Sequence, residues 1–177
     1  MDTAACEIEA AEAGVDFESV FRVHFARVAR VIARVVRDHA RAEELAVEVF
    51  LKLWSNPELH AEMSEGWLYR TAVRKGLDEL RSRNRRARYE RLFGWGRRVE
   101  NPEEIRSATE EQERVRRVLA AMGRRDAELL VLRSNGFSYE ELAGALGSNP
   151  SSIGTLVSRA QAAFRKRYIK LYGAIAK

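Results

Sequence analysis

A helix-turn-helix is predicted by residues 136–160, which read GFSYEELAGALGSNPSSIGTLVSRA. Ser138 and Glu141 have the spacing of a capping box, in which each side chain bonds the backbone N–H of the other residue at the start of a helix. Gly147 can adopt the left-handed conformation that ends a helix. The Asn-Pro pair that follows supplies a cap and a first residue for the next helix, where proline loses no hydrogen bond. The turn is therefore short, as this motif requires.

The second helix of the motif has one apolar and one polar face. Steps of three and four turn five side chains inward: Ile153, Leu156, Val157, Ala160 and Phe164. The outward candidates for nucleic-acid contact are Ser151, Ser152, Thr155, Ser158 and Arg159, followed by Arg165 and Lys166. Small hydroxyl residues let a helix approach base edges in the major groove, and a basic end meets phosphates. The alternative is an ordinary helical hairpin with no binding function. Residues 148–177 hold six Lys or Arg and no acid, however, whereas a surface without a binding function usually carries charges of both signs.

Helical periodicity extends over most of the remaining chain. Apolar residues recur at steps of three and four in five further segments: 17–37, 41–54, from near 65 into the Arg-rich run 81–88, 112–122 and 126–135. The polar stretch 55–65 between the second and third of these segments reads as a loop. No segment alternates with a period of two, so we predict an all-α chain. Trp54, Trp67 and Tyr69 are expected to anchor the core rather than to stack on bases.

Charge is distributed in long blocks of one sign. Residues 1–18 carry six acids and no Lys or Arg, residues 67–98 carry eleven bases and three acids, and residues 99–113 carry six acids and one Arg. Two basic surfaces joined by an acidic connector favour a nucleic-acid partner, because the planar fork of arginine matches phosphate. We predict two small helical domains joined by a flexible linker. The boundaries are 1–16 for an acidic disordered tail, 17–92 for the first domain, 93–111 for the linker and 112–172 for the second domain.

Several other classes of protein are disfavoured by the 177 residues. Apolar runs are far shorter than the roughly 18 residues of a transmembrane helix, so we expect no membrane insertion. The N-terminus is acidic, unlike a signal peptide, and the single Cys6 fits a reducing compartment, which predicts a cytoplasmic protein. The three His residues are scattered, and no nucleophile–base pair or glycine-rich phosphate loop occurs. We therefore expect no enzymatic activity, no metal and no cofactor.

Three ordered stretches resemble the bacterial RNA polymerase sigma factors, specifically the extracytoplasmic-function (ECF) group of the sigma-70 family. RAEELAVEVFLKLW at 41–54 resembles region 2.2. WLYRTA at 67–72, with DELR at 78–81 and the Arg cluster that follows, resembles regions 2.3 and 2.4. The helix-turn-helix resembles region 4, so the likeness extends over about residues 17–168. It implies a two-domain sigma fold and promoter-specific initiation with core RNA polymerase.

The resemblance also implies roles for individual residues. Region 2.2 docks on the clamp helices of the largest polymerase subunit, and the implied contacts are Glu43, Glu44, Glu48, Phe50 and Leu51. Regions 2.3 and 2.4 open the −10 element, while the loop at 55–65 captures a base that is extruded from the stack. The DNA contacts that the resemblance implies here are Arg70, Arg74, Lys75, Arg81, Arg83, Arg85 and Arg86. Region 4 reads the −35 element through the helix-turn-helix residues given above and touches the polymerase flap. A separate anti-sigma factor is the expected regulator.

Two departures from the family pattern keep other functions open. Val47 replaces a usual Gln on the polymerase side, and Arg74 replaces a usual Asn. One alternative is an interaction protein that binds polymerase but no longer melts promoters. Another is a stand-alone helix-turn-helix regulator, which would dimerise on a palindromic duplex without polymerase. The acidic tail is hypothesised to fold back on residues 81–88 and to weaken the binding of free DNA.

Overall fold

The computed structural model describes residues 17–56, 65–93 and 107–173. Within these ranges the chain forms seven α-helices and no strand, which confirms the all-α prediction. The helices are α1 (Phe17–Val36), α2 (His39–Trp54), α3 (Glu65–Phe93), α4 (Ser107–Ala121), α5 (Arg124–Ser134), α6 (Tyr139–Leu146) and α7 (Pro150–Tyr172). The predicted acidic tail 1–16, most of the loop 55–65 and most of the linker 93–111 lie outside the described residues.

Helices α1, α2 and α3 form the first module around a core of aliphatic side chains. Val28, Val31 and Val35 of α1 are buried at helical spacing, as the periodicity of residues 17–37 predicts. Helix α3 approaches α1 closely at Gly76, where an added Cβ would lie 3.3 Å from the Cβ of Val35. Glycine at this position therefore lets the two helices pack with little distance between their backbones.

An aromatic cluster closes one end of the first module. The ring of Phe50 contacts those of Phe21 and Phe25, and Phe17 joins the cluster from the start of α1. The expectation that Trp54 anchors the core is wrong, because 61% of this residue is exposed. Trp54 lies in the last turn of α2, and its ring packs against that of Phe17 with the centroids 4.8 Å apart.

The expectation that Tyr69 and Trp67 anchor the core agrees better with the structure than the expectation for Trp54. Tyr69 is fully buried, as predicted. Trp67 is partly buried and packs against the core from the first turns of α3. The buried side of α3 therefore begins within its first turns, next to the region where α3 meets the second half of the chain.

Helices α4–α7 form the second module, which contains the predicted helix-turn-helix. Helix α6 begins after a complete capping box of Ser138 and Glu141, and the backbone hydrogen bond from Ser138 lowers the pKa of the Glu141 carboxyl. It ends at Gly147, whose φ of 58° is left-handed. Asn149 then caps α7 by accepting from the Ser151 N–H at 3.0 Å. The bounds of α6 match the sequence prediction, whereas α4 begins at Ser107, before the predicted start of its segment at residue 112.

Helix α3 joins the two modules. One side of it packs on α1 and α2, and another side packs on α4, α5 and α6. Buried residues of both modules belong to one continuous core. The first part of the basic α3 helix therefore lies between the two modules.

The capping box yields a stability prediction for the second module. Ser138→Ala removes the side-chain acceptor of the Glu141 N–H, and we expect it to lower the free energy of unfolding by about 1 kcal/mol. Urea unfolding followed by circular dichroism measures the change. Ser138→Thr keeps a capping hydroxyl and should restore most of the loss, and Glu140→Gln in the same turn should change stability by less than about 0.5 kcal/mol. Equal stability of Ser138→Ala and the unaltered protein would contradict the capping role.

Candidate nucleic-acid and protein interfaces

The first turns of α7 present the predicted base-reading side chains to solvent. Ser151, Thr155, Ser158 and Arg159 are exposed, and Ser152 is partly buried. The two serine hydroxyls beside the cap donate hydrogen bonds to Asn149, at 2.8 Å each. These local bonds satisfy the hydroxyls without covering the face, so the start of α7 is an accessible surface of small polar groups.

The rest of α7 continues this face with positive charge. Arg165, Lys166 and Arg167 are exposed, and no acidic side chain lies on the helix. Ile153, Val157 and Ala160 on the opposite side are buried, as predicted, while Leu156 and Phe164 are partly buried. One helix therefore combines a polar start and a basic end on the side that faces solvent.

Helix α3 divides the predicted −10 residues into an exposed group and an engaged group. Arg85 and Arg86 are exposed near the end of the helix. Arg70 and Arg74 instead hold the carboxylate of Glu128 in α5, with Nε–O distances of 3.4 and 2.8 Å. Only 1% of Glu128 is exposed. Sequence reasoning missed Glu128, because nothing in a linear pattern indicates which carboxylate meets a cation on a distant helix.

Arg81 also belongs to the engaged group. Its guanidinium donates to the carbonyl oxygens of Ala120 and Met122 at the end of α4, at 3.2 and 3.4 Å. Nearby, Arg124 of α5 pairs with Asp78 of α3 at 2.9 Å. Positive side chains of α3 thus meet a carboxylate and the carbonyl end of a helix in the second module.

Two further predicted DNA contacts are held within the first module. Lys75 bonds Glu48 at 2.7 Å, and Arg83 bonds Glu79 at 2.9 Å and Asp38 at 3.3 Å. Burial alone raises the pKa of the Glu79 carboxyl, but hydrogen bonds from Arg83 and Arg41 bring it below its ordinary value. These side chains fix α3 on α2.

The exposed side of α2 carries the predicted polymerase contacts. Glu43 and Glu44 are exposed, Glu48 is partly covered by Lys75, and 58% of Leu51 is exposed. Phe50 differs from these, because it is 1% exposed and lies in the aromatic cluster. It supports the surface from within the core and is not accessible to a partner in this arrangement.

This surface is extended by Val47, which the sequence analysis placed on the polymerase side, and by Trp54, which it placed in the core. Val47 and Trp54 are exposed and lie four before and three after Leu51, so the three side chains form one apolar stripe along α2. The spacing 47, 51 and 54 is a signal that the sequence already contained. These exposed positions are offset from the buried positions 45, 46, 49, 50 and 53. Separating the exposed set from the buried set identifies the exposed apolar surface of α2.

The second module carries a surface groove of about 480 Å³ between α4, α5 and α7. Leu119, Leu130 and Phe164 contribute apolar walls, and Arg165 lies at its edge. In the described ranges no cluster of His, Cys, Asp or Glu could hold a metal ion. None of the described helices combines the length and apolar character needed to span a bilayer.

These features define a helical protein of two modules, one of which contains a helix-turn-helix. Residues 20–86 match the family model of sigma-70 region 2, which covers α2 and most of α1 and α3. This match bears out, over that part of the chain, the resemblance to the sigma-70 family that the sequence motifs predict.

One solved structure extends the comparison to both modules. The chain shares its fold with the sigma factor RpoE of Bartonella quintana in its complex with the anti-sigma factor NepR, with a TM-score of 0.50 and 19% sequence identity. The match covers 89% of this chain and 98% of the RpoE chain. No curated protein matches the sequence significantly.

The placement of Phe50 and Leu51 gives a paired stability prediction. Phe50→Ala removes a fully buried ring and should lower the free energy of unfolding by about 3–5 kcal/mol. Leu51→Ala, at the next position on the exposed side, should change it by less than about 0.5 kcal/mol. Urea unfolding of both variants under identical conditions is the measurement. Losses of equal size would mean that the two side chains are not divided between core and surface.

Proposed function

We propose that this protein is an ECF-type sigma factor that binds core RNA polymerase and directs promoter-specific initiation of transcription. The observation that carries the proposal is the combination of a sigma-70 region 2 with a helix-turn-helix whose exposed helix is basic throughout its second half. In this function the protein contributes binding and DNA opening, while the polymerase performs the chemistry. Its place of action is the bacterial cytoplasm, where core polymerase is found.

The apolar stripe Val47, Leu51 and Trp54 on α2 is the proposed contact with the clamp helices of the largest polymerase subunit. Exposed apolar side chains are the usual core of a protein interface, and charged residues form its rim. Glu43 and Glu44 supply such a rim. Val47, which departs from the family pattern, adds apolar area here and so is compatible with docking. The groove beside Phe164 offers a second apolar contact, for the polymerase flap.

DNA contacts are assigned to α7 and α3. The small polar side chains at the start of α7 read the −35 element in the major groove, and the basic residues later in α7 bind phosphates. Arg85 and Arg86 on α3 hold the backbone near the −10 element, whereas Arg70, Arg74 and Arg81 on the same helix are engaged by groups of the second module. An anti-sigma factor is the proposed regulator, and the RpoE–NepR complex shows that a protein of this fold binds such a partner.

Run-off transcription with bacterial core polymerase, on promoters from upstream of the protein's own gene, tests the proposal. We expect transcripts that depend on the protein. Leu51→Ala should weaken binding to core at least about tenfold, because an apolar side chain is lost from the interface. Leu171→Ala at the end of α7 is a matched control, since 51% of Leu171 is exposed, and it should leave core binding unchanged.

The other outcomes identify the alternative functions. Binding to core without transcripts from any tested promoter would favour an interaction protein that does not open DNA. No binding to core, together with dimerisation on a palindromic duplex, would favour a stand-alone regulator and overturn the sigma proposal.

Two of the basic residues on α7, Arg159 and Arg165, should behave differently in the holoenzyme. Arg159→Ala removes a side chain near the base edges and should relax sequence preference at one position of the −35 element, at a cost of about 1–3 kcal/mol on the preferred base. Arg165→Ala removes a phosphate contact and should weaken all sequences equally, lowering the slope of log K against log salt by about 1. Promoters randomised at −35 and a salt series measure the two effects. Identical sequence profiles for both variants would contradict the assignment.

A further inference from the structure

Arginines that pair with a carboxylate differ from arginines that do not. At the surface, Arg22 pairs with Glu18 in α1, and Arg117 pairs with Glu113 in α4. Three or more arginines without such a carboxylate occur together on α1, on the end of α3 and on α7, and on no other helix of the described ranges. The proposed function assigns the last two of these surfaces to DNA. The same property therefore singles out α1, which has no assigned role.

Helix α1 carries its unpaired arginines along one side. Arg27, Arg30 and Arg34 follow steps of three and four, and Arg37 continues the spacing directly after the last helical residue. The backbone N–H of Arg37 still bonds the Ala33 carbonyl at 2.8 Å, as in a helix. At 100° per residue the four positions fall within an arc of about 80°. They extend over about 15 Å and are all exposed, and we call them the α1 arginine row.

The contacts within this row leave its charge without a paired carboxylate. Arg27 lies over the rings of Tyr69 and Phe137, 4.6 and 5.0 Å from their centroids. Arg34 donates to the carbonyl oxygen of Ser134 at 3.3 Å. These partners are neutral, so they orient the two guanidinium groups without pairing them with an anion. The other two arginines of the row have no side-chain hydrogen bond or ion pair within the described ranges.

The chemistry of the row matches the phosphates of DNA. A guanidinium donates two parallel hydrogen bonds to a phosphate. One strand of duplex DNA presents a charge about every 3.4 Å along the axis, so four cations over about 15 Å can neutralise several phosphates. The row has no small polar side chain of the kind that reads bases at the start of α7. It also has no exposed aromatic side chain of the kind that anchors protein interfaces, which disfavours a protein partner.

We propose that the α1 arginine row is a third DNA surface, which binds the phosphates of duplex DNA whatever its sequence. This inference rests on the proposed function, to which it adds affinity for the DNA of the promoter complex outside base recognition. The row strengthens binding to every duplex and steepens the dependence of that binding on salt. It leaves the choice of −35 sequence to α7.

A pair of double variants tests the row at constant net charge. Arg30→Gln with Arg37→Asn removes the two arginines that make no contact, and asparagine readily adopts the left-handed backbone that the φ of 55° at position 37 requires. Arg22→Gln with Arg117→Gln is the matched control. It also removes two exposed arginines, but both of these are paired with a glutamate. Circular dichroism verifies that both double variants are helical.

The measurement is a salt series of DNA binding, first for the holoenzyme on a promoter and then for the free protein on a duplex without promoter elements. At about 0.9 per phosphate, the slope of log K against log salt should be smaller by about 1.8 for the row variant. Between about 50 and 200 mM salt its affinity should therefore fall about tenfold less than that of the unaltered protein. The control should keep the unaltered slope, and promoters randomised at −35 should give the same sequence profile for all three proteins.

The outcomes separate this inference from the function on which it rests. Equal slopes for the two double variants overturn the third DNA surface, and the sigma function then stands if the unaltered protein supports transcription. Unchanged slopes with weaker binding of the row variant to core polymerase would assign the row to an acidic surface of the polymerase and would also overturn the inference. A smaller slope for the free row variant on duplex DNA, without any protein-dependent transcription, would retain the surface and overturn the sigma function.

Discussion

A carboxylate removed from water requires a cation close by, and Glu128 meets two on a helix of the other module. The arrangement of the two modules depends on that pairing, because it fixes α3 against α5 and brings the Tyr69 and Phe137 rings into contact. The same helix is held to α2 by Lys75 and Arg83. Helix α3 is therefore the element through which the two modules are arranged, and its positive charge serves structure along its first half.

Glu128 is buried, whereas its two arginine partners keep part of their side chains in solvent. Removing the carboxylate from water costs about as much as its attraction to the arginines returns, so the contact adds little net stability while it is intact. Leaving one partner buried alone is costly, which makes the pairing specific. The rings of Tyr69 and Phe137 pack beside the charged contact, with centroids 5.1 Å apart, and add the burial of apolar surface.

The parts of the fold that local chemistry determines could be predicted from the sequence, and the parts that depend on distant partners could not. Both ends of α6 follow from Ser138, Glu141 and Gly147, because caps act within a few residues. Phe50 and Trp54 were misplaced relative to the core because neighbouring apolar residues on α2 belong to two offset sets. The engagement of Arg70 and Arg74 was missed because Glu128 is more than fifty positions away. Periodicity identifies which face of a helix is buried, but it does not identify the residue that meets a charge.

The arginines along α3 form an exposed group and an engaged group. In the packed arrangement Arg85 and Arg86 remain exposed, whereas Arg70, Arg74 and Arg81 face negative groups of the second module. Each additional cation that reaches phosphate releases counterions and strengthens the dependence of binding on salt. Because three of the arginines already face negative protein groups, binding of DNA through α3 would rest on its exposed arginines and would show a shallow salt slope.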